Sequence, residues 1–420
     1  MIVKASCEEK LDFNINAQSI IVCGDPGCDG YNTETVIIFE KILRLKADLT
    51  FVTGDIVPIG SEKYFNQAIL MINKSAANPV FCLPGNHDLE NYEKYFGEKN
   101  YVINAKNFSL IALDNSKRFF DEKALFFLET ILNETDNDNI FVSFHIPPPN
   151  PCANNNITTE EWNKIKSLLD KHKEKIKYIF CGHIHSAVDY ILDGYRIIIT
   201  GGGGSAIDKS DNHSYDNISY HYFKLNFVNN DWLINMIEIP VAAKRGSETE
   251  SFSEDENLVA KNLNDAFSRE IQTFRKYEFF AEIAASEGYP EIAKLFKSAA
   301  KSEYLHSKLM FLASFKNQTT RENLKKAIQW ESEEIDSIYA DYLKISEKSK
   351  SAAAFVSILA AFEAEKEHLN QFKNALEHLD SGSDLPQKKY YICSRCGYLH
   401  QGDRPLKLCP GCGANMFKFS

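Results

Sequence analysis

Two Glu-x-x-His pairs are the residues whose spacing most directly indicates chemistry in this chain. Residues three positions apart on an α-helix project to one side, so each pair can offer a carboxylate and an imidazole to the same ion. Two further glutamates lie at matching places on other helical segments, and all six residues share stripes with apolar side chains: Glu303 and His306, Glu365 and His368, Glu270 and Glu331. Because an isolated buried carboxylate is costly unless it is paired or bound to metal, this pattern predicts a di-iron carboxylate centre.

Four cysteines near the C-terminus form two Cys-x-x-Cys pairs, Cys393 with Cys396 and Cys409 with Cys412. This is the spacing of metal ligands rather than of disulfides. Four thiolates bind either iron or zinc, and a neighbouring di-iron centre favours a mononuclear iron that transfers single electrons. Zinc is the alternative, and it would interrupt the electron path.

Polar residues also follow the strand-like runs of the first half of the chain. They lie in five short motifs: Asp25; Asp55; Asn86, His87 and Asp88; His145; and His183 with His185. Any one of them could be a capping residue or a satisfied core group, but the ordered set indicates a functional site.

Changes in composition divide the chain into three domains and two linkers. Residues 1–242 alternate β-rich runs with helical stretches, which predicts an α/β sandwich. Residues 243–254 are polar and small, as is typical of a linker. Four helical segments in residues 255–380 predict a four-helix bundle, and a second linker, residues 381–387, precedes a small metal domain in residues 388–420.

Local signals predict where the helices of the bundle end. Gly288 and Pro290 separate the first helix from the second, and Thr319 with Glu322 resembles a capping box at the start of the third. A break at Ser346–Ser351 separates the third helix from the fourth.

The overall composition excludes some classes of function. A net charge of -11 without a long basic run argues against general nucleic-acid binding. No stretch approaches the roughly 20 apolar residues that a membrane-spanning helix needs. The first residues lack the pattern of a signal peptide, so we expect a cytoplasmic protein that acts on small substrates and protein partners.

The remaining six cysteines are scattered through the first half of the chain, several within apolar runs. We expect them to be buried free thiols: Cys7, Cys23, Cys28, Cys82, Cys152 and Cys181.

The helical region and the cysteine tail together resemble the rubrerythrin family, a ferritin-like di-iron bundle fused to a rubredoxin-like domain. The resemblance implies seven di-iron ligands: Glu270, Glu303, His306, Glu331, Glu334, Glu365 and His368. It assigns Tyr277 and Tyr339 to positions around the ligands. It also implies reduction of hydrogen peroxide, with electrons that enter the cysteine-bound iron from a donor such as an NAD(P)H-dependent rubredoxin reductase, in a homodimer. The connection between the second and third helices is short for this family.

The five motifs of the first domain resemble those of calcineurin-like metallophosphoesterases, which bind two divalent metals (Fe, Mn or Zn) and hydrolyse phosphoesters. The resemblance implies that Asp55 bridges the two metals and that five further residues bind them: Asp25, Asn86, His145, His183 and His185. It also implies that His87 is an acid or a stabiliser of the transition state, and that the Asp88 carboxylate orients it.

One metal position of this domain is a ligand short of the family pattern. Gly27 and Pro58 occupy the two places where relatives supply a histidine or a tyrosine, and Asp29 is a weak replacement candidate. The alternative for this domain is therefore a regulatory module, or one that binds an unidentified phosphorylated ligand, without hydrolysing a phosphoester. For the bundle, the alternative is a ferritin-like iron oxidase. We also hypothesise that the redox state of the bundle controls the phosphoesterase.

Overall fold

The computed structural model describes residues 10–28, 30, 33–208, 219–239, 254–314, 319–348 and 351–415. The chain forms two compact units, Met1–Val241 with Ser251–Ser314, and Ala242–Glu250 with Phe315–Ser420. The predicted order of an α/β domain, a helical region and a four-cysteine tail is confirmed. Within the described ranges, no helix has the length and apolar character needed to cross a membrane.

The α/β domain contains two sheets. Its described strands are β1 (Lys10–Asp12), β2 (Ser19–Cys23), β3 (Leu49–Val52), β4 (Val80–Cys82), β5 (Tyr101–Ala105), β6 (Phe108–Ala112), β7 (Ile140–Ser143), β8 (Ile176–Cys181), β9 (Ala187–Leu192), β10 (Tyr195–Thr200), β11 (His221–Val228) and β12 (Asp231–Glu238). One sheet has the order β12-β11-β2-β3-β4, and the other has the order β1-β5-β6-β7-β8-β10-β9. The strands β2, β3 and β4 are parallel, as are β6, β7, β8 and β10.

Helices cover the outer faces of both sheets. They are α1 (Thr33–Leu43), α2 (Glu62–Ser75), α3 (Tyr92–Phe96), α4 (Glu122–Glu134) and α5 (Thr159–Leu169), which continues as a 3₁₀ helix, Asp170–Lys175. Side chains alternate between the faces of a strand, so Ile20 and Val22 of β2 pack between the sheets while Ile21 and Cys23 pack with α1 and α2. The result is a four-layer sandwich of helices, two sheets and helices.

Two long helices complete the first unit, α6 (Glu254–Ser286) and α7 (Pro290–Ser314). Gly288 adopts φ +87°, and the Tyr289 N–H donates to the Ala284 carbonyl at 2.8 Å. This is the geometry of a Schellman motif, and Pro290 then opens the next helix. The predicted boundary is confirmed.

The second unit contains the remaining helices and the tail. Its elements are α8 (Thr320–Glu333), a π-helical turn (Glu334–Ile338), α9 (Tyr339–Glu347), α10 (Ala352–Asp380), β13 (Lys389–Ile392) and β14 (Leu399–Gly402). The capping box predicted at Thr319 and Glu322 is present, and the Ser351 hydroxyl accepts from the Ala354 N–H at the start of α10. The third and fourth predicted helices are therefore found where the sequence placed them.

Candidate metal centres

The predicted phosphoesterase residues follow the carboxyl ends of parallel strands. Asp25 follows β2, Asp55 follows β3 and Asn86 follows β4 in one sheet, while His145 follows β7 and His183 follows β8 in the other. Since ligands bind in α/β folds at this end of the strands, the loops place these side chains together.

One group combines a carboxylate, an amide and two imidazoles. The Nε2 atom of His145 lies 3.2 Å from Oδ2 of Asp55 and 3.2 Å from Oδ1 of Asn86. The rings of His145 and His183 lie 5.1 Å apart, and ligand atoms of Asp55, His145 and His183 are within 4.8 Å of one another. These oxygen and nitrogen donors suit a divalent metal.

A second group contains a candidate ligand that the sequence interpretation missed. Ligand atoms of Asp25, Cys28 and His185 lie within 4.8 Å of one another. The Cys28 sulfur is 2.8 Å from Nε2 of His185, and that nitrogen is 3.7 Å from Oδ1 of Asp25. Cys28 was expected to be a buried free thiol; it is instead half-buried beside the predicted ligands. The expectation holds for Cys23, Cys82, Cys152 and Cys181, while Cys7 and Asp29 lie outside the described residues.

Backbone carbonyls fix the orientation of three histidines in the site. The Nδ1 atoms of His87, His145 and His185 lie 2.8–2.9 Å from the carbonyl oxygens of Pro58, Thr53 and Ala206 respectively. A carbonyl only accepts, so each Nδ1 carries a proton, and each Nε2 is left to face the site. Such a contact is the usual support of a metal-binding imidazole.

The backbone of the site is held in an uncommon conformation. Asp25, Asp55 and His183 adopt φ +57°, +50° and +72°, in the left-handed region that non-glycine residues rarely occupy. Gly85 packs so closely that an added Cβ would collide with the Asp55 carboxylate. Strain of this kind persists where the surrounding structure enforces it, and it is often found at functional sites.

The ionisable groups of the site need positive charge beside them. Burial raises the pKa of Asp25 to about 7, with a further contribution from Asp55, although His145 and His185 oppose it. Burial also opposes ionisation of Asp55, but the charge and hydrogen bond of His145 outweigh it and lower the pKa of Asp55 to about 2. Among the described residues, these two aspartates form ion pairs with histidines alone. The donor set therefore fits two divalent metals.

Asp88 does not orient His87 as predicted. Its carboxylate is fully buried and accepts the backbone N–H groups of Ile56, Val57 and Gly85 at 2.8–3.1 Å. The His87 ring is held by the Pro58 carbonyl, and Nε2 lies 4.0 Å from the Asp55 carboxylate. Asp88 thus joins the loops that follow β3 and β4.

Arg118 is a second residue that the sequence interpretation missed. Its guanidinium is exposed, and Nη2 lies 3.4 Å from Nε2 of His183 and 2.7 Å from Oδ1 of Asn155. A guanidinium in this position can bind a phosphate oxygen. No motif marks it, since it lies in the loop after β6.

The predicted di-iron ligands form two groups, each with two glutamates and one histidine. In the first, His306 Nδ1 lies 3.0 Å from Glu303 and 3.5 Å from Glu270, which joins α6 to α7. A hydrogen bond shared with Glu303 raises the pKa of Glu270. Two carboxylates this close repel each other unless a proton or a cation lies between them, so the pair suits a metal ion.

The second group joins α8 to α10. His368 Nδ1 lies 2.7 Å from Glu365 and 3.8 Å from Glu331. Burial and the neighbouring Glu365 raise the pKa of Glu331 to about 8, and the same two causes raise the pKa of Glu334. A bound iron ion would neutralise these clustered carboxylates, which are costly to ionise side by side without a cation.

The π-helical turn positions the two residues at its ends. Glu334 begins the turn, and the Tyr339 N–H donates to its carbonyl, five residues back. Burial raises the pKa of Tyr339, with contributions from the nearby Glu334, Glu365 and Glu331. The ring of Tyr277 instead contacts Phe280 and Phe296.

The four tail cysteines converge on one point. All four sulfurs lie within 4.8 Å of one another, with 3.7 Å between Cys393 and Cys412 and 3.4 Å between Cys396 and Cys409. A tetrahedral site with metal–sulfur bonds of about 2.3 Å has sulfur–sulfur edges of about 3.8 Å. Against the effect of burial, the N–H groups of Arg395 and Cys396 lower the pKa of Cys393 to about 7. The residues fit a single tetrathiolate-bound metal.

The tail contacts α10 within the second unit. The Tyr398 hydroxyl donates to a Glu367 carboxylate oxygen at 3.4 Å, and Glu367 precedes the candidate ligand His368 directly. Tyr398 also follows the Cys396-Gly397 knuckle. The tetrathiolate group and one of the Glu–Glu–His groups therefore belong to the same compact unit.

Fold and ligand groups define a chain that joins a metallophosphoesterase-like α/β domain to a helical di-iron-type module with a tetrathiolate tail. Family models agree, in the same order along the chain. Residues 19–187 match "Calcineurin-like phosphoesterase", residues 261–376 match "Rubrerythrin", and residues 391–420 match "Rubrerythrin, rubredoxin-like domain".

Individual relatives match different parts of the chain. "Rubrerythrin-1" of Clostridium acetobutylicum is 30% identical over 174 residues, which cover 36% of this chain and 88% of the relative. The chain belongs to the rubrerythrin family. A "Probable cyclic nucleotide phosphodiesterase" of Fibrobacter succinogenes is 29% identical over 220 residues, which cover 48% of this chain and 83% of that protein. The solved structure "GAP50 the anchor in the inner membrane complex of Plasmodium" is 14% identical, with a TM-score of 0.43 over 53% of this chain and 85% of that one.

Proposed function

We propose that this protein reduces hydrogen peroxide to water at a di-iron centre. The observation that carries the proposal is the presence of two equivalent Glu–Glu–His groups and a four-cysteine group in a chain of the rubrerythrin family. The ligands are Glu270, Glu303, His306, Glu331, Glu334, Glu365 and His368.

A side chain beside the centre supplies protons for the reaction. Cleavage of the O–O bond in hydrogen peroxide consumes two electrons and two protons and releases two waters, and a bound pair of ferrous ions supplies the electrons. Bound ferrous ions would keep the ligand carboxylates ionised, so the protons come from groups that do not bind iron. Tyr339, whose pKa is raised by burial with contributions from Glu334, Glu365 and Glu331, is the candidate donor.

Electrons enter through the cysteine tail in this proposal. Four thiolates hold one iron that exchanges single electrons. The Tyr398 hydroxyl contacts Glu367, so the cysteine group and His368 are linked by a short path of covalent and hydrogen bonds. The donor is a reductase, such as an NAD(P)H-dependent rubredoxin reductase.

We further propose that the α/β domain hydrolyses a phosphodiester. Bound divalent metals polarise the phosphoryl group and lower the pKa of the attacking water. Asp25 and His185 would hold one ion, Asn86, His145 and His183 would hold the other, and Asp55 would contribute to both. His87, with its Nδ1 proton fixed on the Pro58 carbonyl, lies beside Asp55 where it can assist the leaving oxygen. The Fibrobacter relative suggests a cyclic nucleotide as the substrate class.

Metal analysis and visible spectroscopy test the redox proposal. Protein purified without oxygen is expected to contain about three irons per redox module, with the ferric-thiolate spectrum of a tetrathiolate site after oxidation. Zinc in the tail would contradict the electron path. Iron that accumulates far beyond this number would favour the ferritin-like alternative.

Hydrolysis of cyclic nucleotides tests the second proposal. We expect metal-dependent turnover of a cyclic mononucleotide that is lost in His145→Ala and in Asn86→Ala. Tight metal binding without turnover of any cyclic nucleotide or generic phosphodiester would favour a ligand-binding module instead.

A further inference from the structure

We propose that the Cys28 thiolate is a metal ligand of the α/β domain and supplies the donor that the sequence motifs lack. This inference rests on the proposed phosphoesterase site. It assigns to one metal position a mixed set of donors: a carboxylate, a thiolate and an imidazole.

The geometry around Cys28 is that of a ligand set. Its sulfur lies 2.8 Å from Nε2 of His185 and 3.2 Å from the Ser205 hydroxyl, and it shares a 4.8 Å cluster with Asp25. The Ala206 carbonyl accepts the Nδ1 proton of His185, so the lone pair of Nε2 faces the sulfur and the carboxylate. Asp25 is fully buried, and both its oxygens accept the His183 N–H at 3.0 Å, which fixes the carboxylate.

The donor chemistry predicts which metal each position prefers. A thiolate with an imidazole and a carboxylate favours zinc or ferrous iron over manganese or magnesium. The neighbouring position, with Asp55, Asn86, His145 and His183, offers oxygen and nitrogen donors only. The two positions are therefore expected to differ in metal preference.

Cobalt substitution measures the thiolate bond directly. The full-length protein is prepared with iron in the cysteine tail, so that Cys28 is the one thiolate left for added Co²⁺ in the predicted sites. We expect a thiolate-to-cobalt charge-transfer band in wild type and in the matched control Cys152→Ala, and its loss in Cys28→Ala. Superimposable spectra for wild type and Cys28→Ala would overturn the proposal.

Alkylation of the wild-type protein gives an independent answer if Cys28→Ala does not fold. Mass spectrometry measures labelling of Cys28 by iodoacetamide with and without Zn²⁺, and the buried Cys152 serves as the internal reference. Protection by zinc is expected, and labelling of Cys28 that zinc does not change would refute the assignment. Hydrolysis is assayed on the same samples: a thiolate band without turnover defeats the phosphoesterase proposal alone, and turnover without a thiolate band defeats the Cys28 proposal alone.

A separate observation concerns the di-iron ligands, and from it we infer that two copies of this chain complete each di-iron centre. Each centre would combine the α6–α7 ligands of one copy with the α8–α10 ligands of the other. The inference rests on the proposed di-iron function, and it starts from the length of chain between α7 and α8.

The connection is too short to complete a ferritin-like bundle within one chain. Ferritin-like bundles have one long crossover; their other connections are short and reverse direction, so the second and third helices run parallel. At 1.5 Å per residue, α7 continues about 12 Å beyond His306 to Ser314, and α8 begins at Thr320, about 17 Å before Glu331. With both ligands at one level, the helix ends are separated by about 29 Å along the bundle. The chain from Ser314 to Thr320 spans at most about 22 Å.

The ligand-bearing helices also leave large apolar side chains exposed. Leu295 and Leu305 of α7 are 67% and 50% exposed, and Trp330 of α8 and Val356 of α10 are 53% and 60% exposed. None of the α8 side chains is buried, and the His306 side chain is half exposed. A second copy brings the complementary helix pair, covers such faces and supplies the missing ligands, in a closed two-fold arrangement.

Complementation between two inactive variants tests this arrangement. His306→Ala damages the α6–α7 ligands, and His368→Ala damages the α8–α10 ligands. A heterodimer of the two, co-expressed with different tags, contains one intact centre if the ligands come from both copies. It contains none if each chain builds its own.

We expect iron analysis and Mössbauer spectroscopy to show a di-iron centre in the heterodimer and none in either homodimer. A heterodimer without the centre would overturn the inference. If the variants do not fold, the mass of the iron-loaded wild type in solution decides, since a monomer with a full di-iron centre also overturns it. A dimer that contains the centre but does not reduce hydrogen peroxide would contradict the proposed activity and not the proposed assembly.

Discussion

Single side chains at the strand ends combine positioning with electrostatics. Asp88 illustrates this, because burial and the nearby Asp55 raise its pKa to about 7 while three backbone N–H groups oppose the shift. Two of those donors, Ile56 and Val57, follow the candidate ligand Asp55 directly. The third, Gly85, directly precedes the candidate ligand Asn86. Asp88 therefore acts on the metal site through the loops that carry the ligands.

Replacement of Asp88 by alanine is expected to loosen both loops. Each buried N–H left without an acceptor costs about 1–3 kcal/mol, so amide hydrogen exchange at Ile56, Val57 and Gly85 should accelerate by at least about tenfold. Asp88→Asn keeps an accepting oxygen and should lie between alanine and wild type. Exchange in the alanine variant equal to that of wild type would show that the carboxylate does not hold the loops.

At the scale of elements, local signals were predictable and long-range ones were not. The boundary at Gly288 and Pro290 follows from the conformational freedom of glycine and the missing N–H of proline, and these depend on neighbouring residues alone. The contact between Cys28 and His185 joins residues 157 positions apart and depends on how two sheets pack. The five strand-end motifs predicted a site from the sequence alone. The sequence did not predict that Cys28 lies beside His185, because that contact depends on the packing of the two sheets.

The π-helical turn was not predicted from the sequence, because Ile328, Ile335 and Ile338 keep a helical spacing of seven and three residues through it. Over eight residues of regular α-helix, Tyr339 would be rotated about 80° from Glu331 around the helix axis. A π-helical turn contains one extra residue, and this reduces the angle to about 20°. The Glu331 carboxylate contributes to the raised pKa of Tyr339, which agrees with this shared face.

Tyr339→Phe is expected to keep its iron and to lose rate. Removal of the hydroxyl takes a proton donor from the carboxylates, and positioned proton transfer is worth on the order of 10²–10⁴ in rate, so reduction of hydrogen peroxide should slow by at least about tenfold. Tyr342→Phe is the matched control, since that side chain is 53% exposed. Stopped-flow rates that are equal for both variants would remove Tyr339 from the mechanism.

The whole molecule joins in one chain the helical module that we propose to reduce hydrogen peroxide and the metal position to which we assign Cys28. Helix α7, which carries Glu303 and His306, contacts α1 of the α/β domain within the first unit. Hydrogen peroxide can oxidise an accessible thiolate: sulfur attacks one oxygen, the O–O bond breaks, a sulfenic acid forms and the second oxygen leaves as water after protonation. Cys28 is therefore the residue of the proposed phosphoesterase site that we expect hydrogen peroxide to oxidise.

Hydrolysis is expected to be sensitive to hydrogen peroxide in wild type and insensitive in Cys28→Asp. A carboxylate keeps a donor at the metal but cannot be oxidised in this way. Each variant is compared with its own rate before exposure, and catalase ends the treatment. Equal loss in both variants would place the sensitive group elsewhere.

Rapid mixing of fully reduced protein with hydrogen peroxide tests the central claim most directly. We predict that the ferric-thiolate absorption of the cysteine tail appears as hydrogen peroxide is consumed, and that His368→Ala abolishes both changes while its tail remains loaded with iron. Consumption of hydrogen peroxide without oxidation of the tail, or at the same rate in His368→Ala, would contradict the account.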